Sequence, residues 1–513
     1  MKPSMNIIDR AIGYLSPRAG LQRARARVAA QLLLRHYEGA ATGRRTQNWN
    51  RSAGDANAAA GTSLGSLRNA ARDLIRNNPY AESAVSTIAD HAVSYGITAK
   101  FRANAAAIEA WTLWSNSTAC DVEGVQNLTG LGKQVMGSNV SDGEILVRRI
   151  WRTPDSGLPL PFQLQLLEAD FLDTNKTLNL ADGGRIIQGV EYDKQGRRVA
   201  YWLFPQHPGA SLLSNSSVLL PGSQRVAAAD VKHVFRRKRP GQARGVTWFA
   251  PVLLRFKGID EYEDGELMKQ TIASCLAVIT SDIDGSATAL GTANDTDTTP
   301  GVDTIEPGMI LNVPPGRNIE VVQPPKVDGY EDFMRVNLRA IATGLGVAYE
   351  DLTGDYTGMP YSAARMSRLR HWARVDDWRW RILIPQFYDP VFQWAMEAAQ
   401  LAGLLNRKPS PAMWSAPPPP MIDPDKEGLG VQRNIRAGVL TLSEAIRERG
   451  YDPEELLGEM ADDNALLDEL GIVLDSDARK MTQAGQAQGS QLPKDPTPAL
   501  APASDEEDEE AKS

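Results

Sequence analysis

The sequence has few of the residues from which disulfide frameworks and metal centres are built. Among its 513 residues there are two cysteines and five histidines. Two cysteines, Cys120 and Cys275, exclude a disulfide framework and a multi-cysteine zinc site. Five histidines argue against a histidine-rich metal centre. We therefore expect neither a metal nor a cofactor.

Long apolar runs and nucleotide-binding motifs are missing as well. No stretch approaches the run of about 18 apolar residues that spans a membrane, and the first residues lack the apolar core of a signal peptide. There is no Walker A motif, HExxH, CxxC or GxGxxG. Hydrophobic residues still make up 42% of the chain, enough for a sizeable core. This composition predicts a soluble, intracellular protein of mixed secondary structure with few catalytic motifs.

Charge is slightly negative overall but unevenly distributed. Lys and Arg number 55 against 63 Asp and Glu, giving a net charge of −8. The chain therefore lacks the overall basicity of proteins that coat nucleic acid. Residues 18–51 are strongly basic, and their apolar spacing indicates an amphipathic helix that serves as a solvated face, a subunit contact or a nucleic-acid contact. The consecutive acids 505–510 predict a disordered tail.

The N-terminal half changes from helical to β-rich patterning. Leu67–Arg76 predicts a helix, which Asn77-Asn78-Pro79 must break, and Pro79 then begins a second helix through Val93. Between residues 97 and 240, the pattern predicts one helix at Ala105–Trp114 and the strands Glu144–Trp151, Gln163–Leu167, Ile186–Tyr192, Arg197–Leu203 and Val231–Phe235. The third and fourth of these strands, joined by Asp193-Lys194-Gln195-Gly196, read as a hairpin.

The C-terminal half is predicted to be mainly helical. Long helices are expected at Pro251–Thr280, at Glu331–Leu345, and from an N-cap at Ser362 towards Leu405 with kinks at Pro385 and Pro390. Residues 281–327 lose the helical pattern, and 351–361 form a glycine-bearing loop. A proline-rich connector at 409–420 leads to a small helical domain at 423–474.

One catalytic pattern is present. Gly61-Thr62-Ser63-Leu64-Gly65 matches G-x-S-x-G, the nucleophile elbow of α/β-hydrolases. That elbow requires a buried strand immediately before the serine, and the preceding DANAAAGT is no strand. A serine hydrolase is kept as an alternative, but we expect no enzyme.

Several segments carry a family likeness. They are RHYEGAATGRR (35–45), RDLIRNNPYAESAV (72–85), RPGQARGVTWFAPVL (239–253), DEYEDGEL (260–267), GVAYEDLTGDYTGMPYSAARM (346–366) and the segment 423–456. Together they span about residues 20 to 475, and in this order the chain resembles the lambda-type portal proteins of tailed bacteriophages. Thr247 departs from the proline expected in the GVPW-like segment, which affects a local turn only.

The resemblance implies an α+β portal-protein fold with a β-rich wing, long stem helices, clip, tunnel loop and α-helical crown. Its expected parts are a basic N-terminal arm (1–66), wing (67–250), first stem helix (251–280), clip (281–325), second stem helix (326–349), tunnel loop (350–361), long helix with proline-rich connector (362–420), crown (421–475) and disordered acidic tail (476–513).

The function implied is that of a ring, usually of twelve subunits, at one capsid vertex. Double-stranded DNA would pass through it during packaging and ejection without sequence-specific contacts. The terminase large subunit, then the head–tail adaptor, would dock on the ring, and capsid or scaffold proteins would surround it. Assembly would occur in the host cytoplasm and the product would reside in the virion. Another minor capsid or scaffold protein is the remaining alternative.

Three groups of residues are the candidate sites under this resemblance. An acidic stem-helix face would line the channel and repel DNA phosphates; it comprises Asp260, Glu261, Glu263, Asp264 and Glu266. The tunnel loop would contact DNA; it comprises Asp351, Thr353, Gly354, Asp355, Tyr356, Thr357, Gly358, Met359 and Pro360. A subunit interface would use Arg365, Arg368, Trp372 and Trp378.

Overall fold

The computed structural model describes residues 53–61, 63–212, 222–274, 279–281, 311–313, 329–407, 410–421, 423–449, 451, 453–474, 477 and 479–480. Most of the predicted basic arm, most of the clip and nearly all of the acidic tail lie outside these residues. The chain divides into two compact units, residues 1–62 with 239–243, and residues 63–238 with 244–513. In the first unit, helix α1 (Ala56–Ala60) begins at an Asp55 cap, and the Asn57 amide donates to the carbonyl of Gly241 at 3.0 Å.

The second unit contains the remaining helices of the described chain. They are α2 (Leu64–Asn77), α3 (Pro79–Val93), α4 (Ala105–Asn116), α5 (Leu128–Ser141), α6 (Leu253–Ser274), α7 (Tyr330–Leu345), α8 (Tyr349–Thr353), α9 (Tyr361–Trp378), a π-helix (Arg379–Tyr388), α10 (Asp389–Leu401), α11 (Pro424–Arg436), α12 (Leu442–Glu448) and α13 (Pro453–Glu469). None of the helices in the described segments is long and apolar enough to cross a membrane.

The break between α2 and α3 follows from two adjacent residues. The Asn78 side chain accepts hydrogen bonds from the backbone N–H groups of Tyr80 and Ala81, at 3.0 and 3.2 Å, and Pro79 occupies the first helical turn. An N-cap followed by proline is the ordinary start of a helix. The predicted helix, break and second helix are confirmed.

Strands form two main sheets, one of three and one of five strands. Their members are β1 (Thr98–Lys100), β2 (Glu144–Trp151), β3 (Phe162–Glu168), β4 (Leu178–Asn179), β5 (Arg185–Ile187), β6 (Val190–Tyr192), β7 (Arg198–Leu203), β8 (Gln224–Ala227), β9 (Val231–Phe235), β10 (Ile279–Ser281), β11 (Leu311–Val313) and β12 (Met413–Ser415). The orders are β3-β2-β9 and β4-β5-β6-β7-β8, all antiparallel. Two small pairs, β1 with β12 and β10 with β11, complete the set.

The predicted hairpin exists, but its first strand is divided. β6 pairs antiparallel with β7 as expected. The prediction of one continuous strand over Ile186–Tyr192 is wrong, because Gln188 and Gly189 have φ of 50° and 84° and turn the chain between β5 and β6. Two consecutive positive φ angles make a tight hairpin turn.

Two predicted helix ends require correction. The helix expected at Pro251–Thr280 does not reach Thr280, because β-branched Ile279 and Thr280 belong to β10, which pairs parallel with β11. The third long helix begins at Tyr361, after Pro360, and not after a Ser362 cap. It widens at the π-helix around Pro385 and returns to α-geometry with Pro390 in the first turn of α10. Proline lacks an N–H, and π-geometry is one way in which a helix accommodates a disturbed hydrogen-bond ladder.

A fully buried ionic cluster ties the three-stranded sheet to the segment that precedes α6. The Glu144 carboxylate on β2 accepts from Arg244 Nε at 2.8 Å, from His233 Nε2 at 2.8 Å and from the Gly245 N–H at 2.7 Å. Burial would raise the pKa of Glu144, but Arg244 and His233 hold it well below its usual value. Burial lowers the pKa of His233 to about 4, so its imidazole is neutral at pH 7.

A second buried cation closes the C-terminal end of α3. Arg379, 1% exposed, donates to the carbonyls of His91 and Ala92 at 2.9 and 2.8 Å, and to that of Pro417 at 2.7 Å. The last carbonyls of a helix have no partner within the helix. Arg379 therefore caps α3 and joins it to the segment that leads towards α11.

Candidate functional site

The five acids predicted to form one face of α6 do not share a face. An α-helix turns about 100° per residue, so Glu263 and Glu266 point well away from Glu261 and Asp264. Glu266 is only 7% exposed. The prediction that Glu266 lies on a solvent-facing surface is therefore wrong for the described subunit. Glu263 is half-buried and accepts from the Tyr330 hydroxyl on α7 at 3.3 Å.

The remaining acids of α6 differ among themselves as well. The Asp260 carboxylate accepts from the Asn78 amide at 2.7 Å, which connects α6 to the start of α3. Glu261 is 69% exposed and lies 3.6 Å from the exposed ammonium group of Lys257. Asp264 is exposed too. Of the five acids, only Glu261 and Asp264 are exposed, and Lys257 offsets part of their negative charge.

The predicted tunnel loop is shorter than expected. Asp351, Leu352 and Thr353 belong to α8, and the irregular part runs from Gly354 to Pro360; we call it the 354–360 loop. Gly354 and Gly358 both have φ of 70°, a left-handed conformation that glycine adopts without strain. Both glycines thus adopt a backbone conformation that other residues rarely take.

Hydrogen bonds order the first half of this loop. The Thr357 N–H donates to Asp355 Oδ1 at 3.0 Å, and the Tyr349 hydroxyl donates to Asp355 Oδ2 at 3.2 Å. The bonds from Thr357 are the main cause that lowers the pKa of Asp355. The carboxylate is therefore ionised at neutral pH. Tyr356 at the tip is 60% exposed, so its ring is available to an incoming surface.

Beneath the loop lies a cluster that the sequence did not indicate. His91 on α3, Asp351 on α8 and His371 on α9 place their ligand atoms within 4.8 Å of one another. His91 Nδ1 lies 2.8 Å from His371 Nε2, and burial lowers the pKa of His371 to about 4 and lowers that of His91 as well. Both imidazoles are neutral at pH 7. His91 and His371 are 280 positions apart, so no local spacing could have revealed the pair.

The tryptophans assigned to a subunit interface are already buried inside the subunit. Trp372 is 8% exposed and Trp378 is 2% exposed, and the Trp378 ring packs against Trp248 with 5.5 Å between centroids. Their assignment to the interface is therefore corrected: they belong to the core. Arg365 and Arg368 are exposed on α9, as that assignment requires.

Apolar neighbours of these arginines were missed. Met366 and Leu369 on α9 are 67% and 58% exposed. They alternate with the arginines along the same helix, so α9 presents a mixed apolar and cationic surface. Such a mixture, with Arg and Met enriched, is typical of protein interfaces.

Ser63 lacks the geometry of a catalytic nucleophile. It is exposed and stands at the N-terminus of α2, and the described residues before it form α1 rather than a strand. A nucleophile elbow needs a strand leading into the serine. The G-x-S-x-G match therefore does not build a hydrolase site in the part of the chain that the structure describes.

Comparison with known proteins identifies the family. The profile of phage portal proteins of the lambda family matches residues 42–379. A probable portal protein of Halomonas phage phiHAP-1 is 26% identical over 451 residues, which cover 82% of this chain and 84% of that protein. Portal protein B of Escherichia phage lambda is 26% identical over 376 residues, which cover 66% of this chain and 69% of that protein.

Solved structures give a weaker likeness. The neck of a native gene transfer agent particle, computed with C12 symmetry, contains a chain with a TM-score of 0.43 and 15% identity. The match covers 76% of this chain and 94% of that chain. The family profile alone spans well over half of the 513 residues, and the chain therefore belongs to the lambda family of phage portal proteins.

Proposed function

We propose that identical copies of this chain, usually twelve, close into a ring at one vertex of a phage capsid and form the channel for double-stranded DNA. The match to the family of portal proteins over residues 42–379 is the observation that carries this proposal. In this arrangement α6 and α7 are the stem helices, and the excursion between them is the clip. Negative-stain imaging of the purified full-length protein tests it. Annular particles with a central hole are expected, and single non-annular molecules under assembly-promoting conditions would refute it.

The channel wall is proposed to repel DNA through Glu261 and Asp264. A basic wall would bind phosphates and act as a brake, whereas exposed carboxylates keep a duplex centred and mobile. Lys257 lies on the same helix, so the wall is moderately and not uniformly negative. This mixed surface suits sliding without sequence-specific contacts.

Charge reversal tests this wall. The double variant Glu261→Lys and Asp264→Lys should slow packaging into proheads supplied with terminase, most strongly at low salt, because counterions screen such attractions. The matched control reverses two exposed acids of the wing region, Glu109→Lys and Asp182→Lys, and should package normally. Equal rates in the wild type and both variants would exclude an acidic guide.

The 354–360 loop is proposed to project into the channel and contact DNA sterically. Tyr356 and Met359 are its large side chains, and two left-handed glycines, Gly354 and Gly358, shape its backbone. Removing both side chains, in Tyr356→Ala with Met359→Ala, should leave rings intact but let packaged DNA slip back. Tyr95→Ala removes another exposed tyrosine, 72% exposed, and serves as the control. Loss of rings in the loop variant would instead assign the loop to assembly.

Neighbouring subunits are proposed to meet at the exposed surface of α9. Arg365 and Arg368 would pair with acids of the adjacent copy, and the intervening apolar side chains would be covered. Head-to-tail contacts of this kind generate closed rings when the rotation between copies closes. Reversing both charges, in Arg365→Glu with Arg368→Glu, should abolish rings while leaving the melting temperature of the subunit unchanged. Arg433→Glu with Arg436→Glu, on exposed positions of α11, is the control.

Other partners follow from the place of the ring in the particle. The terminase large subunit would supply ATP hydrolysis, and the clip (281–325) would bind first terminase and then the head–tail adaptor. Capsid or scaffold proteins would contact the wing, and the ring would form in the host cytoplasm before entering the virion. Pull-down of terminase by the full-length ring, and its loss when residues 290–300 are replaced by a Gly/Ser linker, tests the docking site.

A further inference from the structure

Three potential metal ligands converge below the 354–360 loop. They come from three separate helices: His91 from α3, Asp351 from α8 and His371 from α9. They line a cavity of about 120 Å³, together with side chains that include Tyr356 and Met359 of the loop. His371 is 3% exposed, and its Nδ1 atom is buried without a hydrogen-bond partner among the described residues. The other ring nitrogen of His371, Nε2, is the one that faces His91 and Asp351.

The distances are close to those of a tetrahedral centre. Ligand nitrogens held about 2.05 Å from one ion in tetrahedral geometry lie roughly 3.4 Å apart. His91 Nδ1 and His371 Nε2 are 2.8 Å apart, and His371 Nε2 is 3.9 Å from Asp351 Oδ2. To bind an ion in this geometry, the first distance must increase and the second must decrease, each by roughly half an ångström. Side-chain torsions supply such changes without moving a helix.

The donor set indicates which ion fits. A set of two imidazoles and one carboxylate suits Zn²⁺ and related transition metals, whereas Ca²⁺ and Mg²⁺ require mainly oxygen. The cavity has room for the water that completes such a centre, since one water occupies about 30 Å³ in the liquid. Glu350 and Arg368 also line the cavity, so it holds one further charged group of each sign. We propose that His91, Asp351 and His371 bind one divalent transition-metal ion, with Zn²⁺ as the best match, at the base of the 354–360 loop.

A second histidine–carboxylate group in the chain lacks this potential and shows what distinguishes the first. Glu168, Asp170 and His207 also lie within 4.8 Å of one another. There, however, Arg72 Nη2 lies 2.9 Å from a carboxylate oxygen of both Glu168 and Asp170, and Arg68 is 2.7 Å from Asp170. Guanidinium groups already occupy those carboxylates and repel a cation. No guanidinium lies within ion-pair distance of Asp351 in the described residues.

The ion would cross-link three helices at the point where the loop is anchored. α8 leads directly into the 354–360 loop, and α9 begins where the loop ends. Coordination of Asp351 and both histidines to the same ion would therefore fix the loop base against α3. We expect removal of the ion to loosen the loop base while leaving the rest of the subunit folded.

Metal titration of the full-length assembled protein, purified without a histidine tag and stripped with a chelator, tests the proposal. Competition with a chromophoric chelator should give one Zn²⁺ per subunit, and Co²⁺ should give the intense visible absorption of a tetrahedral site. His91→Asn, Asp351→Asn and His371→Asn should each weaken Zn²⁺ binding at least tenfold, and the control His207→Asn should not.

His91→Asn and Asp351→Asn still test the site if the buried His371→Asn variant fails to fold. His91 and Asp351 are half-buried, so their variants are expected to melt near the wild type. Absence of stoichiometric Zn²⁺ binding in the wild type would overturn the proposal. Zn²⁺ binding that persists undiminished in both half-buried variants would overturn it too, and would assign the ion to another place. These outcomes are independent of whether the ring carries DNA.

Discussion

The buried carboxylate of Glu144 should be the most sensitive single position in the subunit, and Glu144→Gln tests this. The side chains of Glu144 and Arg244 are each 1% exposed, and Arg68 Nη2 lies 3.5 Å from the same carboxylate. Glutamine keeps the shape but removes the charge, which leaves the Arg244 guanidinium buried without a counter-charge. Its amide also places a donor where His233 Nε2 or the Gly245 N–H now donates. Breaking a buried ion pair by removing one partner costs about 3–5 kcal/mol.

Urea denaturation at pH 7.5, followed by tryptophan fluorescence, measures this loss. The control is Glu168→Gln, a neighbouring carboxylate that is 54% exposed and lies 2.9 Å from Arg72. Exposed pairs contribute about 0–1 kcal/mol, so the control should unfold near the wild type. A Glu144→Gln variant that unfolds within about 1 kcal/mol of the wild type would refute the assignment of a charged, essential carboxylate here.

Three further predictions rest on features of the same subunit. His233 has a folded-state pKa of about 4, below its ordinary 6.5, so unfolded chains bind more protons between these values. The free energy of unfolding should therefore fall as pH drops from about 6.5 to 4, and protonation of His233 alone should lower it by about 2 kcal/mol at pH 5. Urea melts at pH 7 and pH 5 measure this loss. An unchanged free energy of unfolding would contradict a buried neutral imidazole. Arg379→Met leaves three backbone carbonyls without a buried partner and should lower the free energy of unfolding by about 2–4 kcal/mol. The control Arg381→Met changes a side chain that is 78% exposed and should have little effect in the same urea titration. Gly143→Ala places a methyl group 2.2 Å from the Val246 carbonyl carbon at a φ of 90°, and should lower the free energy of unfolding by more than about 1 kcal/mol. The control Gly65→Ala in α2, where nothing lies within 4 Å, should be neutral or stabilising in thermal melts. Equal melting temperatures for the two alanine variants would contradict the close packing around residue 143.

Sequence reasoning succeeded where structure is decided locally. The Asn78-Pro79 break follows from capping and proline geometry within a few residues, and the strand Glu144–Trp151 was predicted with its observed ends. One local signal was overlooked. The turn at Gln188-Gly189 divides a run that otherwise reads as one strand, and the signal that could have revealed it was the glycine.

The candidate site was less predictable than the fold. Residue type alone favoured Trp372 and Trp378 as interface residues, but tertiary packing buried them inside the subunit. The acids of α6 looked alike in sequence, yet their neighbours on α3 and α7 gave each a different environment. The histidine pair joins positions 280 residues apart, and such a contact is fixed only by the complete fold.

The cap formed by Arg379 has a mechanical consequence. One guanidinium holds the final turn of α3 and the carbonyl of Pro417, and a side chain of that final turn, His91, reaches the foot of the 354–360 loop. Hydrogen bonds from a charged donor are roughly twice as strong as neutral ones, and a dry interior strengthens them further. A displacement of the loop base is therefore passed, through one helix end, to the segment that leads towards α11. Two remote parts of each subunit should thus yield together rather than one after the other.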